Sequence, residues 1–238
     1  MKKFLKYETF QDAFVGLNEH ILKNHEYKIP SRLGETWEIS GLTYEVTDMK
    51  TFQFENENIG RLDYKYCSTF YDWLVSGSAD YDDAAEAFKE YPGVKKWIVK
   101  PKHPDLPDNT CVFYGPRIVA QLDRVVKELT TNPNSRRGVV SIIQESDLDL
   151  SDKPSVKQEF PCCDSGTFYI RDGKLNLHLH MRSENVGQVL KLDMYLWGRF
   201  TCFLAETYGL ETGTFRSSMV SAHCFTKDEE YLTSLNTL

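Results

Sequence analysis

The stretch TFYIRDGKLNLHLHMRS, residues 167–183, decides how this chain folds. Phe168 and Ile170 alternate with polar residues up to Asp172-Gly173, and Leu175, Leu177, Leu179 and Met181 alternate beyond it. A period of two puts one set of side chains on one face of a strand. Asp-Gly suits the tight turn between two such strands, whose central residues need positive φ. The stretch therefore predicts a hairpin with one apolar face.

Working outward, residues 194–208 predict an apolar helix stopped by Gly209. Upstream, RRGVVSII (136–143) predicts a strand. Before it, Ile118, Leu122, Val125, Val126 and Leu129 fall at helical spacing, and Asn132-Pro133 ends that helix. Residues 8–22 predict an amphipathic helix, and TWEISGLTYEVT (36–47) a strand, a Gly turn and a second strand. Residues 66–76 predict a helix ending at Gly77. The segment from Tyr91 to Asn109, with Pro92, Pro101, Pro104 and Pro107, predicts a loop. Helices mixed with antiparallel strands give an α+β class. With no repeat, low-complexity run or linker, one domain over residues 1–238 is expected.

Bulk properties narrow the function. A chain of 238 residues with 41% hydrophobic side chains can bury a substantial core. A net charge of −7 without a long basic block argues against bulk binding to nucleic acid or membranes, so any phosphate site must be built locally from a few arginines. The N-terminus MKKFLKYETF lacks the apolar run of a signal peptide, and no stretch approaches the roughly 20 apolar residues of a membrane helix. The expected compartment is the cytosol, where thiols stay reduced.

Six cysteines, Cys67, Cys111, Cys162, Cys163, Cys202 and Cys224, include no C-x-x-C pair, so zinc and thioredoxin chemistry gain little support and no metal is expected. Two stand together in FPCCD, residues 160–164. They admit four readings: metal ligands, a redox pair, inert core residues, or a nucleophile with a neighbour. Adjacent cysteines rarely form a disulfide, because the geometry is poor. Three other features carry possible chemistry: Arg182-Ser183 at the hairpin's far end, Arg136-Arg137 after NPNS, and SAHCF (221–225). Singly each has a bland reading. An arginine pair is usually a solvated face, and a lone histidine such as His223 is usually structural. His178 and His180, on the polar side of the hairpin, suggest no role.

Together, in this order and spacing, NPNSRRGVVS, FPCC, IRDGKLNLHLHMRSEN and SAHCF resemble the thymidylate synthase superfamily. That superfamily carries an S-R-R element, a Pro-Cys nucleophile, a D-G-x-L hairpin, an R-S pair and a terminal H-x-Y. The resemblance is strong from about Tyr114 to Phe225, and IRDGKLN…MRSENV looks most like the phage-type deoxycytidylate hydroxymethylases. It implies a mixed β-sheet with flanking helices and a homodimer formed through the sheet. It also implies 5,10-methylenetetrahydrofolate as the cofactor and a pyrimidine nucleoside monophosphate as the substrate.

The resemblance assigns roles by position. Cys162 falls on the nucleophile; Cys163 takes the next place, a His in the synthases. A thiolate suits the soft, weakly electrophilic C6 of a pyrimidine, and guanidinium groups nearby would favour it. Arg182 and Ser183 match phosphate binders, with Arg182 also touching the nucleophile. Arg136 and Arg137 match a pair that reaches into the partner subunit's site. Arg32, in SRLGETW, falls where the family has a phosphate arginine on a loop. Tyr114 matches a tyrosine implicated in removing the C5 proton, Trp97 a tryptophan beside base and folate, and His223 a residue that bonds the sugar. Synthases acting on uracil carry an Asn eight residues after the acid of R-S-x-D; the corresponding residue here is Asp193. A carboxylate only accepts, which suits the N4 amino group of cytosine and an N3 that becomes protonated during reaction. A bland reading has Asp193 capping the helix from 194. The implied reaction is therefore 5-hydroxymethylation of dCMP, with CMP as an alternative substrate; the alternative functions are other C5 chemistry on the same nucleotide, by methylation or without folate, and nucleotide binding without catalysis.

Four departures from the family pattern accompany these matches. With Trp73 as the family's early tryptophan, its catalytic Glu position holds Phe70, with Asp72 the nearest acid. The acid that holds the pterin is Asn185. A glycine near the folate is Val189, and the chain ends at Leu238 without the tail that closes over folate. The tyrosine of H-x-Y is Phe225, which removes one contact to the sugar.

Overall fold

The computed structural model describes residues 2–91, 114–145 and 161–235. Its strands are β1 (Phe4–Tyr7), β2 (Tyr27–Ser31), β3 (Gly34–Val46), β4 (Val139–Ser141), β5 (Cys163–Arg171), β6 (Lys174–Asn185) and β7 (Glu211–Phe225). The helices are α1 (Phe10–Asn24), α2 (Tyr64–Ser76), α3 (Tyr81–Ala87), α4 (Tyr114–Thr131), α5 (Leu190–Thr207) and α6 (Glu229–Ser234). The seven strands form one mixed sheet in the order β1-β3-β7-β6-β5-β4, with β2 paired to β3. The β1–β3 and β6–β7 pairs are parallel and the others antiparallel. This is the expected α+β class.

The hairpin forms where the alternation placed it. Asp172 (φ 53°) and Gly173 (φ 74°) take up the left-handed backbone that a two-residue hairpin turn requires. Leu175, Leu177, Leu179 and Met181 are buried beneath α5. Gly77 ends α2 at φ 67°, as its sequence predicts. Two expectations are corrected. Residues 36–47 are not a hairpin: Gly41 has φ 68°, but β3 runs through it in unbroken register with β7, from Thr36↔Phe225 to Val46↔Phe215. The apolar helix begins at Leu190, four residues earlier than expected, and Val189 caps it without a side-chain hydrogen bond.

Gly41 marks a row where the sheet exchanges its faces. Along β3 the buried positions pass from Trp37 and Ile39 to Leu42, Tyr44 and Val46. Along β7 they pass from Phe215, Ser217 and Met219 to Ala222 and Cys224, and along β6 from Met181 to Glu184. The breaks align, because Gly41, Val220 and Arg182 lie side by side between the paired rows Leu42–Met219–Met181 and Ser40–Ser221–Ser183. On β5 a bulge at Asp164 lies just beside this row, between the pairs Cys163–Met181 and Ser165–His180. The row sets the beginning of β5 against the R-S pair of β6 and turns Glu184 inward, where strict alternation would have turned it out.

Helices α1, α4 and α5 cover one face of the sheet. The other carries a polar ladder. Thr43 Oγ1 donates to Ser218 Oγ (3.1 Å), which meets His178 Nε2 (2.9 Å), and the His178 ring stacks on His180 at 4.6 Å. Glu45 pairs with Lys6 and Arg216, whose guanidinium lies over the exposed Phe4 ring, and Val220 is exposed four residues further along β7. Burial lowers His178 to about 4, assisted by His180 and Arg216. A histidine with a lowered folded pKa contributes stability above pH 6.5 that is lost as pH falls through 4. For a half-buried ring we expect about 1–2 kcal/mol, after allowance for solvent screening. His178→Gln should flatten the fall in urea midpoint between pH 6.5 and 4 relative to the parent protein, and parallel curves would refute this.

Candidate active site

The two adjacent cysteines differ in their surroundings. Cys163 opens β5 and is fully buried; its thiol donates to Ser165 O (3.7 Å), and burial pushes it well above the ordinary thiol range. Cys162, one residue before the strand, is only part-buried. Its backbone N–H donates to the Tyr114 hydroxyl (2.9 Å), and its carbonyl accepts from Arg182 N (3.0 Å). The Arg182 guanidinium wraps this residue: Nε donates to Pro161 O at 2.7 Å, and Nη2 lies 3.9 Å from Cys162 Sγ. A guanidinium there favours the charged form of a sulfur. Among the described residues no group of three His, Cys, Asp or Glu side chains could hold a metal ion, and the described cysteines are free thiols.

Tyr114 begins α4. Its hydroxyl accepts from the N–H of Cys162 and, at 3.4 Å, from that of Cys163. Burial, with the nearby Cys162 and Asp193, pushes the phenol well above its ordinary value, so it keeps its proton at neutral pH. It holds the Cys162 backbone and has an O–H left to donate.

Beyond Arg182 on β6, Ser183 Oγ lies 3.5 Å from His223 Nδ1 on β7. Burial lowers His223, leaving a neutral ring that can donate or accept. Asn185 Oδ1 accepts from Gln188 N (3.2 Å), so this amide braces the turn that leads into α5. Val189 is 39% exposed at the mouth of that turn.

Asp193 lies inside α5, not at its cap. Its carboxyl is buried and hydrogen-bonded to Glu184, also buried. Burial raises Asp193 to about 7, with Glu184 acting to lower it, while Glu184 itself stands well above the usual carboxylate range. Tyr44, buried under β3, feels both acids, and Tyr114 feels both Asp193 and Cys162. Tyr114 thus lies within electrostatic reach of both Cys162 and Asp193. Glu184 was not singled out in the sequence. The sequence carries no signal for it: the alternation Leu179-His180-Met181 predicts an outward residue at 184, and only the face exchange turns this carboxylate inward, where it needs a partner.

The remaining expected residues lie further out. Arg136 and Arg137 are exposed in the α4–β4 turn, on the rim of an open basin of about 600 Å³ that Glu128, Asn134 and Ser135 also line. Because Val139 pairs with Thr167, they sit towards the hairpin turn, roughly 13 Å or more along β5 from Cys163. They do not join this chain's own Cys162–Arg182 cluster. Arg32 is exposed in the β2–β3 turn, at the sheet end where Thr36 pairs with Phe225. Phe70 lies in an aromatic cluster with Tyr66, Trp73 and Phe88, at ring separations of 5.3–6.1 Å, and the acid expected there is absent. Trp97 lies outside the described residues, as do Cys111 and most of the proline-rich loop.

A part-buried thiol beside a guanidinium, with a neutral imidazole, a serine and a proton-holding acid pair close by, can attack a polarised ring and manage the charge that follows. Among curated proteins, a thymidylate synthase of Listeria monocytogenes serotype 4a (strain HCC23) is 32% identical over 107 residues, which cover 45% of this chain and 32% of that enzyme. The matched region thus spans about a third of the relative's length. No helix among the described residues is long and apolar enough to cross a membrane. The family model described as thymidylate synthase matches residues 17–236, nearly the whole chain, and with this fold and this order of site residues the chain belongs to the thymidylate synthase family.

Proposed function

We propose that this chain, read as one domain, transfers a one-carbon unit from 5,10-methylenetetrahydrofolate to C5 of a cytidylate, dCMP or CMP, and releases the 5-hydroxymethyl nucleotide. The observation that carries this reading is the buried Asp193 carboxyl, titrating near neutrality within reach of Tyr114, where a uracil-reading site would want an amide.

Arg182 and Ser183 bind the phosphate, with Arg32 closing from the β2–β3 turn; forked guanidinium donors suit its oxygens. His223 meets the sugar. Cys162 adds to C6 through its sulfur lone pair while Asp193 holds the N3–C4–N4 edge of the base. Tyr114 keeps the nucleophile's backbone in place and serves the C5 proton. A pterin needs an apolar shelf and an amide-type partner; Val189 and Asn185 at the mouth of α5 fit that need, and Trp97 would join them. When bound, the folate supplies the carbon at the oxidation level of formaldehyde. Water then completes the hydroxymethyl group, and the C6–S bond breaks as Cys162 leaves.

Two copies stacked through the open sheet face, with Phe4 and Val220 in the contact, form the working unit in the cytosol. Arg136 and Arg137, remote from their own Cys162, then serve the phosphate site of the other protomer. Incubation with dCMP, CMP and dUMP, with and without the folate, followed by mass analysis tests the reading. A folate-dependent product of a cytidylate that gains a carbon and an oxygen supports it. A methyl product, a preference for dUMP, or tight binding without turnover overturns it.

A further inference from the structure

Glu184 is a buried acid to which the mechanism above gives no work. It sits on β6, directly after Arg182-Ser183, and the face exchange at Arg182 turns it towards α5. There its side chain is hydrogen-bonded to Asp193. Two carboxylates cannot share a dry site unless at least one carries a proton. The titratable groups within electrostatic reach of the pair are Tyr44 from β3, Tyr66 and Cys67 from α2, Tyr114 from α4 and Cys163 from β5. Each is an acid that burial pushes up, so each stays neutral at pH 7. Neither carboxyl is shifted by a neighbouring cation, so the pair itself must hold the proton.

We propose that Glu184 is a positioning residue that keeps its own proton, donates it in a hydrogen bond to Asp193, and thereby makes Asp193 an acid strong enough to protonate N3 of cytosine. The inference rests on the cytosine reading above. In the step it serves, the sulfur lone pair of Cys162 forms the S–C6 bond. The C5=C6 pair shifts to C4–C5, and the N3=C4 pair moves onto N3. N3 takes the proton of Asp193, leaving a carboxylate that the Glu184 O–H steadies. Without that O–H, a buried Asp193 carboxylate would lose its hydrogen-bond donor, and the acid would part with its proton less readily.

Two readouts test this. Infrared spectra of the unliganded protein at pH 7 should show the carbonyl stretch of a protonated carboxyl, kept in Asp193→Asn and lost or sharply reduced in Glu184→Gln. A spectrum without the band, or one unchanged in Glu184→Gln, overturns the proposal. For tritium release from C5-labelled dCMP, Glu184→Gln keeps a donor and should stay within a few-fold of the parent at neutral pH. Glu184→Leu should lose on the order of ten- to a hundredfold in kcat with little change in KM, and its pH profile should move up by about a unit. A Glu184→Leu protein with the parent's kcat and pH profile overturns the proposal, as does a Glu184→Gln protein as impaired as Glu184→Leu. If the parent protein leaves every cytidylate untouched, the functional reading fails, and the infrared band alone decides whether Glu184 holds the proton.

Discussion

Cys162→Ala abolishes the release of tritium from C5 of labelled dCMP, a loss on the order of 10⁴-fold or more, and leaves nucleotide binding within a few-fold. The size follows from what the sulfur does: every later event needs the C6 adduct, so removing the nucleophile removes the whole path, not one contribution to it. Binding should survive because the proposed phosphate and sugar contacts fall to Arg182, Ser183 and His223, which alanine leaves in place. The adjacent cysteine is the internal control. Cys163 is fully buried at the start of β5, with its thiol pushed up by burial and directed at a strand carbonyl. Cys163→Ala should therefore keep activity within a few-fold and cost about 1 kcal/mol or more of stability through the cavity it leaves. Urea denaturation and tritium release on both variants separate the roles. If the two phenotypes exchanged places, the assignment of the nucleophile would be wrong.

The hairpin was legible because two independent signals agreed: an alternation that fixes the faces and an Asp-Gly pair that fixes the turn. Gly41 misled for the converse reason. A positive φ serves a tight turn and also a kink within a continuous strand, and TWEISGLTYEVT carries no sign of which neighbour it pairs with. The start of α5 was read late because Lys191 and Asp193 look like residues outside a buried helix. Lys191 is in fact buried against the carbonyls of Glu57 and Ile59, contacts made about 130 positions away in the chain. Cys162, Arg182 and His223 were singled out by their order along the chain, and the fold brings Cys162 and Arg182 together; Glu184 acquired meaning only when the face exchange set it against α5. Local pattern reveals faces; it does not reveal which buried faces meet.

Asp193→Asn reverses the choice of base, and this is the largest change in specificity expected of any single substitution here. In the parent protein a uracil would set its O4 against the carboxyl and find no donor for it once Asp193 is ionised. A site built to meet a polar edge rejects the mismatched one by on the order of 10³–10⁴. The Asn amide offers an acceptor to N3–H and a donor to O4, so dUMP becomes the better substrate and dCMP loses a comparable factor in kcat/KM. The same substitution has a signature that owes nothing to turnover. The folded pKa of Asp193, about 7, lies above its unfolded value, so the folded chain binds the extra proton. Stability tied to that proton is complete below about pH 4 and lost as pH rises through 7, at a cost of about a few kcal/mol. Asp193→Asn should remove that slope, leaving a urea midpoint that is flatter between pH 5 and 8 and higher at the alkaline end. A flat profile together with reversed base preference would tie both effects to one buried carboxyl. A flat profile without the reversal would leave Asp193 an acid of the core, and the base would have to be read by another residue.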